Sequence, residues 1–312
     1  MRNAFFSTLA DVAASDPSIY LLVGDLGFGA VEPFAKRFPD RFVNVGVAEQ
    51  NLAGIATGLA LSGKTVFTYS IGNFPTLRCL EQIRNDVCYH RASVIIVTVG
   101  GGFAYGPLGM SHHATEDLAI MRSLPEMVVV APGDPAEVDG ATRALAAYRG
   151  PAYLRLGRTG EPVLHPHAIK FRLGHAIEMR HGRDLTLIST GAMLEATLRV
   201  AGKLAGDGVD PRVLSMPTIK PLDVRAVLDA ARETRAIFTI EEHSVIGGLG
   251  SAVAEVLAEI PERPLFKRVG LPSAFAYVAG SQDHLKQLFG LSDAAIVEQI
   301  QSVLGAVQTV PF

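Results

Sequence analysis

The sequence has few of the features that mark a disulfide scaffold or a membrane protein. Among its 312 residues there are two cysteines, Cys79 and Cys88, whose spacing fits neither a C-x-x-C motif nor a zinc site. No stretch approaches the roughly 20 apolar residues of a membrane-spanning helix, and the start, MRNAFFSTLADVAASDPS, lacks the form of a signal peptide. We therefore predict a cytoplasmic protein in which both cysteines are ordinary helix residues.

Long runs of one charge are also missing. The net charge is −3, and positive and negative residues are interspersed along the chain. This distribution argues against nucleic acid or a membrane surface as a partner and favours small-molecule chemistry. With 48% hydrophobic residues, the chain is long enough for two domains that each have a core.

Short β-branched runs alternate with helix-periodic segments along the whole chain. This alternation predicts an α/β fold in which crossover helices link parallel strands. The strand candidates are 18–24, 42–46, 65–69, 93–99, 127–131, 152–156, 184–191, 212–216, 235–243 and 264–270. The pattern becomes looser and more polar after residue 158 and restarts near 184, which places a linker between two domains.

The stretch VGVAEQNLAGIATGLALSG (45–63) places one acid, Glu49, at the start of an apolar helix. Its apolar residues keep the i, i+3, i+4 spacing of a core-facing helix, and Gly63 is expected to end it. Glu49 falls at a strand-to-helix turn, where open α/β sheets bind ligands. The alternative is an exposed first-turn acid that complements the helix dipole.

Three separated segments resemble the transketolase family of thiamine-diphosphate enzymes. They are RFVNVGVAEQNLAGIATGLALSGKTVF (41–67), GPLGMSHHATEDLAIMRSLPEMVVVAPGDPAEV (106–138) and EEHSVIGGLGSAVAEVL (241–257). The chain is most similar to the separately encoded C-terminal subunit of split transketolases. The resemblance implies two doubly wound, three-layer domains with mainly parallel sheets: a pyrimidine-binding domain (1–160), a linker (161–183) and a C-terminal domain (184–312).

The resemblance also implies a role for Glu49. In the family, a glutamate at this position bonds N1′ of the cofactor aminopyrimidine and promotes the tautomer that generates the thiazolium ylid. A carboxyl group placed among apolar neighbours suits this task, because it can share a proton with a ring nitrogen. The implied reaction transfers a two-carbon ketol unit from a ketose, or ketose phosphate, to an aldose.

Two further cofactor contacts follow from the resemblance. Phe74 in TYSIGNFPTLRCLEQIRND (68–86) corresponds to the aromatic residue that stacks on the aminopyrimidine, although it could simply cap the core. Asp25 matches an aspartate near the cofactor, although it could equally cap the following turn. Arg78 could contact cofactor or substrate, but we expect a structural ion pair with Glu81 or Asp86.

Two residues are expected to bind substrate. His112 lies in a loop (100–119) with five glycines and matches a family histidine that helps bind substrate and shuttle protons. Its neighbour His113 is expected to face away. Arg158 matches the arginine that holds a sugar phosphate, a task that suits a permanently charged guanidinium. The alternatives are that Arg155 makes this contact or that both arginines are surface residues.

Three positions depart from the transketolase pattern. Leu108 replaces a substrate-binding aspartate, Gly100 replaces a histidine, and Gly29 replaces a phosphate-binding serine. Because polar groups are lost at all three positions, the sequence leaves the donor and the acceptor open.

The chain also lacks the family's G-D-G motif and the asparagine-bearing segment about thirty residues after it, which together anchor Mg²⁺ and the diphosphate. We therefore expect an N-terminal transketolase subunit to supply those ligands in an α₂β₂ heterotetramer, and no catalysis by this chain alone. Two other functions stay open: the β subunit of a 2-oxo-acid dehydrogenase, and a non-catalytic regulatory subunit of the same fold.

Overall fold

Apolar, β-branched runs in the first half of the chain build one sheet. The computed structural model describes residues 1–308. The first sheet has the order β10-β5-β6-β4-β3-β1-β2, and all its neighbouring strands are parallel except β10 and β5. Its strands are β1 (Ile19–Val23), β2 (Phe42–Asn44), β3 (Thr65–Ile71), β4 (Val94–Val99), β5 (Val128–Val130), β6 (Ala152–Leu156) and β10 (Thr218–Lys220).

Helices cover both faces of this sheet. They are α1 (Arg2–Ser15), α2 (Glu32–Arg37), α3 (Glu49–Leu61), the short α4 (Leu80–Gln82) with a π-helical turn (Ile83–Cys88), α5 (Asp117–Ser123) and α6 (Pro135–Ala147). Helices α1 and α6 pack on one face, while α3, α5 and the π-helical turn pack on the other. Successive residues of β4 alternate between the two cores, as a pleated strand requires, so the domain has three layers.

A second sheet follows in the second half of the chain, with the order β12-β11-β8-β9-β7. Its strands are β7 (Ile177–Arg180), β8 (Leu185–Ser189), β9 (Pro211–Ser215), β11 (Ala236–Ser244) and β12 (Leu265–Leu271). The helices are α7 (Met193–Gly206), α8 (Val224–Glu233), α9 (Leu249–Ala258), α10 (Gln282–Leu288) and α11 (Asp293–Gln308). Helices α7 and α11 cover one face and α8 and α9 the other.

The predicted fold of two doubly wound, mainly parallel α/β domains is confirmed, and every predicted strand range overlaps an observed strand. Two strands were missed. β7 lies inside the predicted linker 161–183; it is a partly buried edge strand that pairs antiparallel with β9, so its sequence has no apolar run. β10 is three residues long and joins the first sheet from the second half of the chain.

No helix among residues 1–308 is both long enough and apolar enough to cross a bilayer. Cys79 and Cys88 are buried free thiols at the two ends of the α4 segment and its π-helical turn.

Candidate active site

Glu49 is the first residue of α3 and lies just beyond the carboxyl end of β2. Only 1% of its surface is exposed, because Leu52, Ala53 and Ala56 hold α3 against the sheet. Burial removes the alternative of an exposed first-turn acid. The helix behaves as predicted at its other end as well, where Gly63 adopts a φ of +88°.

The two oxygens of Glu49 have different surroundings. Oε2 accepts a hydrogen bond from Nη1 of Arg78 at 2.7 Å. Oε1 is buried and has no hydrogen-bond partner in residues 1–308. The ion pair expected between Arg78 and Glu81 or Asp86 is wrong, because packing of the segment after β3 against α3 turns Arg78 towards Glu49.

Phe74 and His112 continue the same cluster. The guanidinium carbon of Arg78 lies 5.0 Å from the Phe74 ring centroid, and the His112 ring meets Phe74 edge-on with centroids 5.1 Å apart. The structure thus connects Glu49, Phe74 and His112, with Arg78 between the first two. Sequence reasoning missed this position of Arg78, and only its nearness to Phe74 in the chain could have hinted at it.

The two adjacent histidines have different surroundings. His112 is partly exposed, and its Nδ1 lies 3.0 Å from the Ser111 hydroxyl. Burial and the neighbouring His113 lower the pKa of His112, so its imidazole is neutral at pH 7. His113, which was expected to face away, is buried, with Nε2 3.2 Å from the Gly106 carbonyl oxygen.

Asp25 lies at the same edge of the sheet, just after β1. It has a φ of +57°, and its backbone N–H and side chain both bond the Asn44 amide at 3.0 Å. A Cβ on the preceding residue, Gly24, would lie 3.8 Å from Glu49 Oε1, so the backbone here runs close to the acid. The contact between Asp25 and the cofactor stays a prediction.

Arg155 and Arg158 are both in or just after β6 but differ in role. Arg155 is 5% exposed; it bonds Asp117 at 2.9 Å and the carbonyl oxygens of Ala114 and Glu242. Arg158 is exposed, and its Nη1 bonds the Ala104 carbonyl oxygen at 2.9 Å. Arg158 is therefore the arginine that remains available to a ligand.

Arg158 lines a cavity of about 380 Å³ that contains a second arginine. The lining residues are Arg2, Tyr105, Pro107, Leu108, Arg158 and Thr159. Arg2 and Arg158 form no ion pair with a carboxylate among residues 1–308. Burial raises the pKa of Tyr105, and the positive charges of both arginines partly offset that rise. Sequence reasoning missed Arg2, since it lies over 150 positions away from its counterpart in the chain.

The three residues that depart from the transketolase pattern, Leu108, Gly100 and Gly29, have different surroundings in the structure. Leu108 is half-exposed in the arginine-lined cavity. A Cβ on Gly100 would lie 2.2 Å from the ring of Tyr105, so this aromatic residue takes the space of the family histidine. Gly29 has a φ of +77° and open space beside it.

The segment 100–119, which contains the glycine loop and the start of α5, is bonded to the second domain. Glu242 accepts a hydrogen bond from the Phe103 N–H at 2.8 Å, and His243 Nε2 accepts one from the Ala119 N–H at 3.3 Å. Both acceptors are buried at the end of β11. Through these two bonds, Glu242 and His243 hold the segment that carries His112.

One group of possible metal ligands occurs in the described part of the chain, namely the buried trio Asp134, Glu137 and His165. Asp134 caps α6 by accepting from the Glu137 N–H, and its Oδ2 lies 3.0 Å from His165 Nδ1. These bonds tie the segment after β6 to the first domain.

The chain matches two family models. The model described as transketolase, pyrimidine binding domain, matches residues 1–160, and the transketolase C-terminal domain model matches residues 174–296.

Similar proteins cover nearly the whole chain. A 6-deoxy-6-sulfo-D-fructose transketolase subunit of Clostridium sp. strain MSTE9 is 39% identical over 97% of this chain and 94% of its own length. One of the subunits of an apulose-4-phosphate transketolase of Phocaeicola vulgatus is 38% identical over 95% and 94%. A solved structure described as a split gene transketolase, inactive beta4 tetramer, has a TM-score of 0.90 at 39% identity and covers 97% of this chain and 98% of that one.

Proposed function

Because this chain belongs to the transketolase family and corresponds to one subunit of its split-gene enzymes, we propose that it is the pyrimidine-binding and C-terminal subunit of a two-chain transketolase. The proposed reaction moves a two-carbon ketol unit from a ketose donor to an aldose acceptor. The cofactor that the family implies is thiamine diphosphate with Mg²⁺; when bound, it supplies the nucleophilic carbon that carries the unit.

One observation carries the proposal: Oε1 of Glu49, next to Phe74 and Arg78, is a buried carboxylate oxygen for which residues 1–308 offer no hydrogen-bond partner. A buried acceptor or acid without a partner is unfavourable unless a ligand satisfies it. A ring nitrogen of an aminopyrimidine would do so, and the partly exposed ring of Phe74 offers a face for stacking. The residues therefore fit the pyrimidine half of the cofactor.

The other residues divide the remaining work. His112, neutral at pH 7, can take up or return a proton at a substrate hydroxyl. Asp25 lies where it can contact the cofactor at the edge of the sheet. Arg158, with Arg2 in the same cavity, offers two guanidinium groups to an anionic sugar end, a phosphate or a sulfonate.

The diphosphate and the metal are assigned to a partner. An N-terminal transketolase subunit would supply those ligands in an α₂β₂ heterotetramer, which accounts for the missing G-D-G motif. The similar solved structure is described as an inactive tetramer of β chains. We expect this chain by itself to be inactive too.

The test is Glu49→Gln in the complex with a diphosphate-binding partner chain. Glutamine keeps a hydrogen bond but transfers no proton, so turnover should fall by about 10²–10⁴-fold. Glu81→Gln, an exposed acid in α4, is the matched control. Wild-type rates for Glu49→Gln at saturating cofactor would reject the role.

The reaction itself separates the candidate functions. A transketolase forms a new ketose from an aldose acceptor without oxidation or reduction, whereas a 2-oxo-acid dehydrogenase subunit acylates lipoyl groups. A regulatory subunit would do neither and would leave the complex without tight, Mg²⁺-dependent cofactor binding.

A further inference from the structure

Arg78 lies between Glu49 and a large cavity that both domains line. This cavity has a volume of about 600 Å³ and is lined by Phe74, Arg78 and residues of both domains. Glu49 is not among its lining residues and borders only a small interior space of about 10 Å³. A ligand that enters through the cavity therefore meets Arg78 before it meets the acid.

The guanidinium of Arg78 makes two contacts that a pyrimidine ring would need. Its Nη1 donates to Glu49 Oε2 at 2.7 Å, and its central carbon lies 5.0 Å from the Phe74 ring centroid. A guanidinium is flat, carries N–H donors in its plane and stacks on aromatic faces. It thus resembles a protonated aminopyrimidine in shape and in hydrogen bonding.

The Arg78 side chain is exposed enough to leave Glu49. It is 48% exposed, whereas the Glu49 side chain is fully buried. An ion pair with one half-exposed partner is weak enough to open, because water can solvate the released guanidinium. The acid would stay in place, held by the start of α3.

We propose that Arg78 is a place-holder for the cofactor: in the subunit without cofactor its guanidinium occupies the aminopyrimidine position, and binding of the cofactor displaces it from Glu49. This inference rests on the proposed function. The ion pair gives the buried Glu49 side chain a charged partner until the ring arrives. Displacement leaves both oxygens of Glu49 available to the ring.

The test is the rate and affinity of thiamine diphosphate binding, with Mg²⁺, to the complex of this chain with its diphosphate-binding partner. In Arg78→Ala the ion pair no longer has to break, so affinity should rise about two- to fivefold, through a faster association rate. Arg78→Lys keeps a cation beside Glu49 but loses the flat group over Phe74, so its affinity should lie between those of the wild type and Arg78→Ala. Arg84→Ala, an exposed arginine on the neighbouring π-helical turn, is the matched control and should change nothing.

The outcomes separate this inference from the proposed function. If the wild-type complex binds no thiamine diphosphate, the proposed function fails and the inference with it. If the wild type binds but Arg78→Ala binds more weakly, or dissociates faster at the same association rate, Arg78 is a cofactor contact and only the inference is overturned.

A crystal structure of the wild-type complex with cofactor gives an answer that does not depend on any variant folding. We expect Arg78 Nη1 to lie beyond 4 Å, the usual limit of a salt bridge, from Glu49 Oε2. Retention of the 2.7 Å contact beside a bound pyrimidine would overturn the place-holder role.

Discussion

Replacing Arg155 by methionine should destabilise the chain while leaving sugar recognition to Arg158. Arg155 is 5% exposed and its partner Asp117 is fully buried, with 2.9 Å between Nε and Oδ2. Its Nη2 also donates to the carbonyl oxygens of Ala114 and Glu242, which belong to different domains. Arg155 therefore joins α5, the glycine loop and β11.

The expected loss can be bounded. Removing one member of a buried ion pair costs about 3–5 kcal/mol, because the other charge stays buried without its counter-ion. Methionine retains the packing of the aliphatic stem, so this electrostatic part dominates. At about 2–4 °C per kcal/mol, the midpoint of thermal unfolding should fall by about 6–20 °C.

Thermal unfolding of the full chain followed by circular dichroism measures the loss of stability. Steady-state kinetics of the partner complex measure sugar recognition. In Arg155→Met with Asp117→Asn the buried charge is gone, so part of the stability should return, a coupling of about 0.5–3 kcal/mol. The matched variant, Arg158→Met, is exposed and should unfold near the wild-type temperature but raise the KM for a phosphorylated sugar. An unchanged unfolding midpoint for Arg155→Met, with a higher KM, would refute the reasoning and make Arg155 the substrate ligand.

Two further predictions concern Glu241 and Phe74. Burial raises the pKa of Glu241 to about 7 from 4.5, against the hydrogen bonds from Leu249 and Gly250 that lower it. Because the folded chain holds this proton more tightly than the unfolded chain, Glu241 contributes about 3 kcal/mol to the free energy of unfolding below about pH 4.5, and this contribution is lost as the pH rises to 7. Urea unfolding between pH 5 and 8 should show this loss for the wild type, and Glu241→Gln should abolish the pH dependence that comes from this residue. Phe74→Ala should weaken thiamine diphosphate binding to the complex about tenfold in calorimetric titrations, because the stacking face is lost. The control is Leu61→Ala, an exposed residue at the end of α3 away from Glu49, which should leave the affinity unchanged. Equal affinities for the two variants would show that Phe74 does not contact the cofactor.

Much of the fold could be predicted because its signals are local. The β-branched run 93–99 becomes β4, whose residues are buried on both faces, and the apolar spacing after Glu49 becomes the buried face of α3. β7 and β10 could not be predicted in the same way. Both are short, and both pair antiparallel at a sheet edge where few apolar residues are needed.

The residues of the candidate site were proposed from the sequence one by one, but their arrangement could not be predicted. The resemblance to transketolases singled out Glu49, Phe74, His112 and Arg158, and the structure joins the first three into one cluster. The resemblance did not say that Arg78 bonds Glu49 or that Arg2 shares a cavity with Arg158. Such pairs depend on how distant segments pack, for which no spacing rule exists.

The sequence by itself determined the fold class and the order of the elements, because strand and helix periods and glycine turns act over a few residues. The chemistry expected at the carboxyl edge of the first sheet came from the resemblance to transketolases. Only the tertiary structure decided that Glu49 is buried with one oxygen bonded and the other unpartnered within the described residues 1–308, and that Arg155 is held in a buried ion pair while Arg158 is exposed. Burial and ion pairing depend on residues that lie far apart in the chain and meet only in the fold, as Arg155 and Asp117 do, and their energies follow from that shared environment.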